Sequence, residues 1–305
     1  MNNPRLSVNI DGIELKNPVI AASGCYGYGG DYRPWVSLQE WGAITLKGTT
    51  LHSRQGNPPP RLVETPAGMI NSVGLQNPGV DKVIAEELPH LQDENVAVIM
   101  NISGETIEEY VALTAKIAPL QRIDGIEVNV SCPNVEKGGI SFGTDPESVS
   151  ELVARVRSTY DGPLIVKLSP LGHDLPRVAR AAEEAGAGVI SLINTVPGMV
   201  IDADAVKPVL ARGVGGLSGP AIRPVAVRAV WEVAGTVDIP LIGMGGIAGA
   251  EDALQFILAG ARAVSIGTAN FVNPLVVKET VAGIDEYMEH KGFKSMEEMC
   301  GAARR

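Results

Sequence analysis

Short apolar runs alternate with longer amphipathic stretches along this chain. Eight runs, at residues 18–22, 43–47, 96–102, 125–130, 164–168, 188–193, 240–244 and 263–266, are rich in Val and Ile and nearly free of polar residues until they end. Strands covered on both faces read this way, which predicts a parallel sheet with helices packed on it. Between the runs, residues 107–118, 148–160, 175–185, 221–234 and 250–259 repeat their apolar positions at a helical period. Asp145-Pro146, and Asp174 with Pro176 nearby, mark helix starts. Gly186, Gly235 and Gly260 stand where helices should stop. Eight βα units in one chain favour a closed (β/α)8 TIM barrel over a doubly wound sheet. The fold class is therefore α/β, with residues 1–305 as a single domain.

Two features depart from the alternation. Residues 6–10 and 13–15 flank Asp11-Gly12, a hairpin signal, and such an N-terminal hairpin would plug one end of the barrel. Residues 52–78 and 197–219 are long, rich in Pro or Gly, and read as inserted loops over the C-terminal face, where loops cover a ligand.

Charge and cysteine content narrow the function classes. A net charge of −10 with no basic block argues against a nucleic-acid partner. Three cysteines without CxxC spacing argue against a disulfide framework or a structural zinc, and fit a reducing cytosol. The four His residues have no ligand spacing, so no catalytic metal is expected. No run is long enough to span a bilayer and the first residues are not a signal peptide, which predicts a soluble, cytoplasmic protein.

The chemistry lies where the runs end: Ser23, Lys47, Asn101, Asn129 to Cys132, Lys167, Asn194-Thr195, Gly245-Gly246 and Gly267-Thr268. Packing does not require an apolar strand to end in such residues, and in a barrel all of them reach one mouth. Solvation explains any one of them as well; it does not explain the set. Gly245-Gly246 and Gly267-Thr268 follow the seventh and eighth runs, where barrels commonly hold a phosphate on bare backbone N–H groups. Lys167, inside Ile165-Val-Lys-Leu168, is tolerated only if it is paired or faces a polar cavity. It suits the anionic edge of a reduced flavin or a Schiff base with a carbonyl, and Lys47 poses the same choice. Asn71, Asn129 and Asn194 suit a small planar substrate with ring amides. Cys132, in Asn129-Val-Ser-Cys-Pro-Asn134, is a thiol presented by a turn, available as base or nucleophile. Cys25 is a rival thiol past the first run, and Cys300 reads as incidental.

At these residues the chain resembles the dihydroorotate dehydrogenases, over about residues 6–281. The motifs are Asn129-Val-Ser-Cys-Pro-Asn134, the Asn71-Ser-Val-Gly-Leu75 loop, Ile193-Asn-Thr195 and Gly215-Gly-Leu-Ser-Gly-Pro220. The resemblance implies an FMN-containing barrel that oxidises dihydroorotate to orotate in pyrimidine biosynthesis. It implies that Ser23, Lys47, Gly48, Asn101, Asn129, Lys167, Ile193, Gly219, Gly245, Gly246, Gly267 and Thr268 hold FMN. Lys47, Asn71, Ser72, Val73, Gly74, Leu75, Asn129, Asn194 and Thr195 would hold dihydroorotate. Cys132 would take the C5 proton while hydride passes from C6 to the flavin. The segments at 135–143 and 216–222 are similar to those of class 1B, the NAD-linked form. That form pairs with an electron-transfer subunit carrying FAD and a [2Fe–2S] cluster, in a heterotetramer of two chains of each kind. Class 1A, a homodimer using fumarate, shares the cysteine. A Schiff-base aldolase or phosphosugar isomerase using Lys167 remains the alternative of a different class, and a catalytically dead barrel the third reading.

Overall fold

Eight parallel strands close on themselves: β1 Val19–Ala21, β2 Ala43–Thr45, β3 Ala97–Ile102, β4 Gly125–Asn129, β5 Leu164–Lys167, β6 Val189–Leu192, β7 Leu241–Met244 and β8 Ala263–Ile266. Each pairs with the next in the chain, and β8 pairs with β1. The computed structural model describes residues 3–131, 133–134, 140–141, 143, 145–170 and 174–305; of residues 133, 134, 140 and 141 it describes the backbone alone.

The expected helices form between the strands. They are α1 Ile107–Ile117, α2 Pro146–Arg157, α3 Leu175–Glu184, α4 Arg223–Val233 and α5 Ala250–Ala259. Asp145 and Asp174 cap α2 and α3, their carboxylates accepting the N–H groups of Ser148 and Arg177. Each helix buries one stripe against the barrel, as α1 does with Ile107, Tyr110, Leu113 and Ile117. A further helix, α6 Val276–Lys291, was not legible in the helical period. Gly283 interrupts its pattern, and a Cβ there would collide with that of Ala250 at the start of α5. The glycine weakens the propensity signal and admits the close helix contact.

Alternation along each strand divides the wall. Gly243 of β7 faces outward, since a Cβ on it would lie 2.6 Å from the Phe256 ring of α5. Ile242 and Met244 therefore face the lumen. Register carries the same face to Ser191, Lys167, Asn129, Glu127 and Asn101, and on the other side to Ser265. The outward faces are apolar and join the helices in one core.

The two ends of the barrel are closed differently. At the N-terminal end, strands Val8–Ile10 and Ile13–Leu15 form the expected hairpin around Asp11-Gly12 and bury Val8, Ile10, Ile13 and Leu15. Ile13 packs over Gly125 at the start of β4, and Asp11 accepts from the N–H of Leu164 at the start of β5 (3.4 Å). Over the C-terminal end, the two insertions are not loops alone. They join in one antiparallel sheet, Val196–Met199, Val214–Ser218, Gly68–Asn71 and Leu62–Thr65 in that order. Sequence reading missed this sheet because its strands are short and Gly-rich, and its pairing joins segments some 145 residues apart, as between Asn71 and Gly216. Among the described residues no helix is long and apolar enough to cross a membrane.

Candidate active site

The ends of β4 and β6 bring together four of the strand-end residues, Asn129, Ser131, Asn194 and Thr195. Asn194 Nδ2 donates to Ser131 Oγ (2.7 Å) and to Asn129 Oδ1 (3.4 Å). Asn129 Oδ1 also accepts the Ser131 N–H (3.1 Å), and its backbone carbonyl accepts from Tyr110 Oη (2.7 Å). Thr195 joins through its N–H, which donates to Asn194 Oδ1 (2.8 Å). The overlying sheet delivers Asn71 to the same place. Its Nδ2 donates to the Gly216 carbonyl (3.3 Å), and Gly216 lies so close to the Thr195 side chain that no Cβ would fit. Carboxamides thus line one side of the mouth, offering both donors and acceptors without charge.

The rest of the 71–75 loop is pinned from below. Asn57 Nδ2 donates to Ser72 Oγ (3.0 Å), and the Asn57 N–H donates to the Val73 carbonyl (2.9 Å). Gly74 turns with φ +74° hard against Asn57, a conformation that favours glycine. Asn77 Nδ2 holds the Leu75 carbonyl (2.7 Å). Leu75 and Asn101 both approach Gly48, whose absent Cβ would lie 3.5 Å from Leu75 Cδ2 and 3.0 Å from Asn101 Oδ1.

Opposite, the late strands form a glycine cradle. Gly219 (φ +91°) and Gly246 (φ +79°) lie back to back, with a Cβ on Gly246 falling 2.7 Å from the Gly219 carbonyl and 2.9 Å from the Arg223 nitrogen at the start of α4. Gly245 touches Ala226 and Ile193, and Thr268 Oγ1 donates to Ser218 Oγ (2.8 Å). Bare backbone, two hydroxyls and a helix start suit an anionic oxygen cluster. The buried Ile193 donates its N–H to the Met244 carbonyl (3.0 Å) and ties β6 to β7 beneath the cradle.

Two lysines bring positive charge to the mouth. Lys167 is 8 % exposed and faces the lumen; among the described residues no carboxylate or other acceptor holds its ammonium. Lys47 is half-buried. Burial lowers its pKa, the Arg61 charge adds to that, and Asp31 opposes it. Lys47 lines a cavity of about 530 Å³ with Cys25, Asp31, Tyr32, Asn270 and Phe271, on the β1 and β8 side. Burial pushes the Cys25 thiol up to about 11, against the nearby Lys167 charge. Cys25 therefore stays protonated at neutral pH and makes a poor base. Its sulfur packs 3.3 Å from where Gly267 would carry a Cβ. Among the described residues no hydrogen bond ties the half-buried Ser23 to the others. Cys132 lies outside the described residues.

Comparison with known proteins shows the family. The family model described as dihydroorotate dehydrogenase matches residues 5–288. The chain belongs to the dihydroorotate dehydrogenase family. It is thus an oxidoreductase of that family. The chain is 50 % identical over 304 residues to a protein of Geotalea daltonii named dihydroorotate dehydrogenase B (NAD(+)), catalytic subunit, covering 100 % of both chains. Proteins of the same name from Desulforamulus reducens (52 % over 298 residues, 98 % of each chain) and Bacteroides thetaiotaomicron (50 % over 297 residues, 97 % of this chain and 98 % of the other) are equally similar. Among solved structures, the Eimeria tenella dihydroorotate dehydrogenase in complex with ferulenol superposes with a TM-score of 0.83. It is 20 % identical, over 100 % of this chain and 90 % of that one, a likeness of fold.

Sequence reading gave Ser131 no role of its own beside Cys132, and gave none to Ser218, Glu127 or Ser191. Hydroxyls carry no signal of their own. Glu127 did: it is a charged residue inside the apolar run 125–130, the same anomaly that singled out Lys167.

Proposed function

We propose that this chain binds FMN and oxidises (S)-dihydroorotate to orotate, as the catalytic subunit of the NAD-linked class 1B. The observation that carries the reading is Lys167, an inward, buried cation without a protein acceptor among the described residues, in register with the Asn129 carboxamide on the neighbouring strand. Burying an ammonium without a partner is costly, so a ligand group is the natural acceptor. The anionic edge of a flavin supplies one, and the cradle across the mouth suits its phosphate.

In this reading Gly219, Gly245, Gly246, Gly267 and Thr268 bind the phosphate, and Ser23, Lys47, Gly48, Asn101, Asn129, Lys167 and Ile193 surround the ring. When bound, FMN supplies the hydride acceptor. Lys47, the 71–75 loop, Asn129, Asn194 and Thr195 orient dihydroorotate by its ring amides and carboxylate. Cys132 takes the C5 proton, and the Ser131 hydroxyl just before it is anchored by Asn194. One barrel over residues 1–305 does this work.

The full-length likeness to catalytic subunits supports a partner that carries electrons onward to NAD. We assign that partner FAD and a [2Fe–2S] cluster, in a cytoplasmic heterotetramer. The substrate loops occupy the β2, β4 and β6 side. Trp35, Phe271, Val272 and Leu275 leave large apolar surfaces exposed beside the cavity on the β1 and β8 side, a face such a partner would cover. Val272→Asp is expected to abolish NAD-linked turnover with the partner while leaving flavin reduction by dihydroorotate intact. Loss of both would remove this face from consideration.

The spectrum of the purified chain under anaerobic dihydroorotate tests the function. A yellow protein that bleaches, and is reoxidised by NAD only with the partner, is expected. Direct reoxidation by fumarate would favour class 1A. A colourless protein after FMN is supplied, together with borohydride trapping of a carbonyl substrate on Lys167, would replace the reading by Schiff-base chemistry.

A further inference from the structure

Glu127 is a carboxylate in the barrel lumen, 2 % exposed, with no part in the proposed chemistry so far. Both of its oxygens are engaged. Oε1 accepts from Asn101 Nδ2 (2.7 Å), and Oε2 accepts from Ser191 Oγ (2.8 Å). Among the described residues no Lys, Arg or His pairs with it. A carboxylate this deep is costly to bury and usually has a reason to be there. A structural strut across β3, β4 and β6 would need only neutral hydrogen-bonding groups.

Two consequences follow from its place. The first concerns orientation. Asn101 donates through its NH2 to Glu127, so its oxygen points the other way. That oxygen faces Gly48, where a Cβ would lie 3.0 Å from it, at the level of the site. Ser191 holds the second carboxylate oxygen, so the group cannot swing away. The second consequence concerns charge. Glu127 pairs in register with Ile165, and Lys167 is two residues further along the same strand, facing the same lumen. Two residues of strand span about 6–7 Å. A carboxyl group and an amino group, neither ion-paired among the described residues, are therefore stacked one layer apart, with the lysine nearer the mouth.

We propose that Glu127 is a positioning residue of the cofactor site: it fixes the Asn101 carboxamide with its acceptor toward the flavin, and its charge beneath Lys167 holds the flavin potential down. The proposal rests on the FMN reading. A negative charge below a redox group disfavours adding electrons to it, and the effect is large where water is excluded.

The test compares wild type, Glu127→Gln and Glu127→Leu as purified full-length proteins, measuring the FMN dissociation constant, the flavin midpoint potential and the melting temperature of the apoprotein. Glutamine removes the charge but keeps both bonds, accepting from Asn101 and donating to Ser191. It is expected to bind FMN within about threefold of wild type, with the potential shifted to more positive values. Leucine removes both bonds and is expected to weaken FMN binding on the order of tenfold, the size of one lost charge-assisted hydrogen bond. A wild-type potential in Glu127→Gln overturns the proposal, as does wild-type FMN affinity in Glu127→Leu. Either result would leave Glu127 a strut, whose loss moves only the melting temperature. If the leucine variant does not fold, the potential of the glutamine variant decides alone. A wild-type chain that takes up no FMN defeats the flavin reading itself, and is told apart because every form is then colourless.

Discussion

The two ends of this barrel are built from the same strands and behave as opposites. The N-terminal end is stopped by an apolar hairpin whose Ile10, Ile13 and Leu15 are almost completely buried. The C-terminal end carries the polar residues Lys47, Asn101, Asn129, Lys167 and Asn194 where the strands run out, and a Gly-rich sheet lies over that end. Apolar burial is non-directional and roughly additive in area, so the plug stabilises the fold through bulk. Polar groups at the mouth contribute only if something completes their hydrogen bonds and charges. The lesson is a division of labour along the strand axis. Stability collects where strands begin and chemistry where they end, as expected for this architecture.

Substitutions at each end test that division. Cys132→Ser is expected to slow flavin reduction by dihydroorotate on the order of 10²-fold at neutral pH, because a hydroxyl is a far weaker base than a thiolate. FMN content and melting temperature should not change. A wild-type rate in a stopped-flow trace would remove Cys132 as the base.

Ile13→Ala at the plug should do the reverse. It removes a buried side chain packed over Gly125 and is expected to cost about 2–4 kcal/mol in denaturant unfolding. FMN bound per folded chain should stay at the wild-type level. A plug variant that stays stable but loses FMN would break the comparison.

Lys167→Ala is expected to weaken FMN retention on the order of tenfold, since a charge-assisted contact is lost. The apoprotein should be no less stable than wild type, because the lysine has no protein acceptor among the described residues. A fully flavinated variant after dialysis would sink its assignment.

The smallest effect concerns Cys25. Its folded value of about 11 lies above the 9.0 of an ordinary thiol. The unfolded chain gives up the proton first, so this group's contribution to stability is complete below about pH 9 and is lost as pH rises toward 11. Cys25→Ala should flatten that part of the alkaline stability profile and leave the neutral range alone. An unchanged alkaline limb would mean that the thiol is not shielded from solvent.

Much of this molecule is legible in the order of its residues. Strand β4 announces itself by a run of apolar residues, α5 by its period, and α2 and α3 by Asp145 and Asp174 standing one turn ahead of the apolar face. Lys167 stands out because charge inside a buried strand is costly wherever the strand sits. These signals are local: periodicity, caps and residue type act over a few positions of chain.

What stayed hidden is nonlocal. The Asn71 contact with Gly216 joins two insertions far apart in sequence. Asn194, Ser131 and Asn129 meet only because β4 and β6 end at the same height around a closed wall. The partners of Glu127 come from β3 and β6 on either side of it. The sequence alone determined the number of βα units, their order, and the polar residues that end the strands, because hydrophobic period and backbone propensity are properties of neighbouring residues. Only the tertiary structure decided which polar group faces which. That choice depends on register around the closed barrel and on insertions folding over its mouth, and no short window of chain contains either.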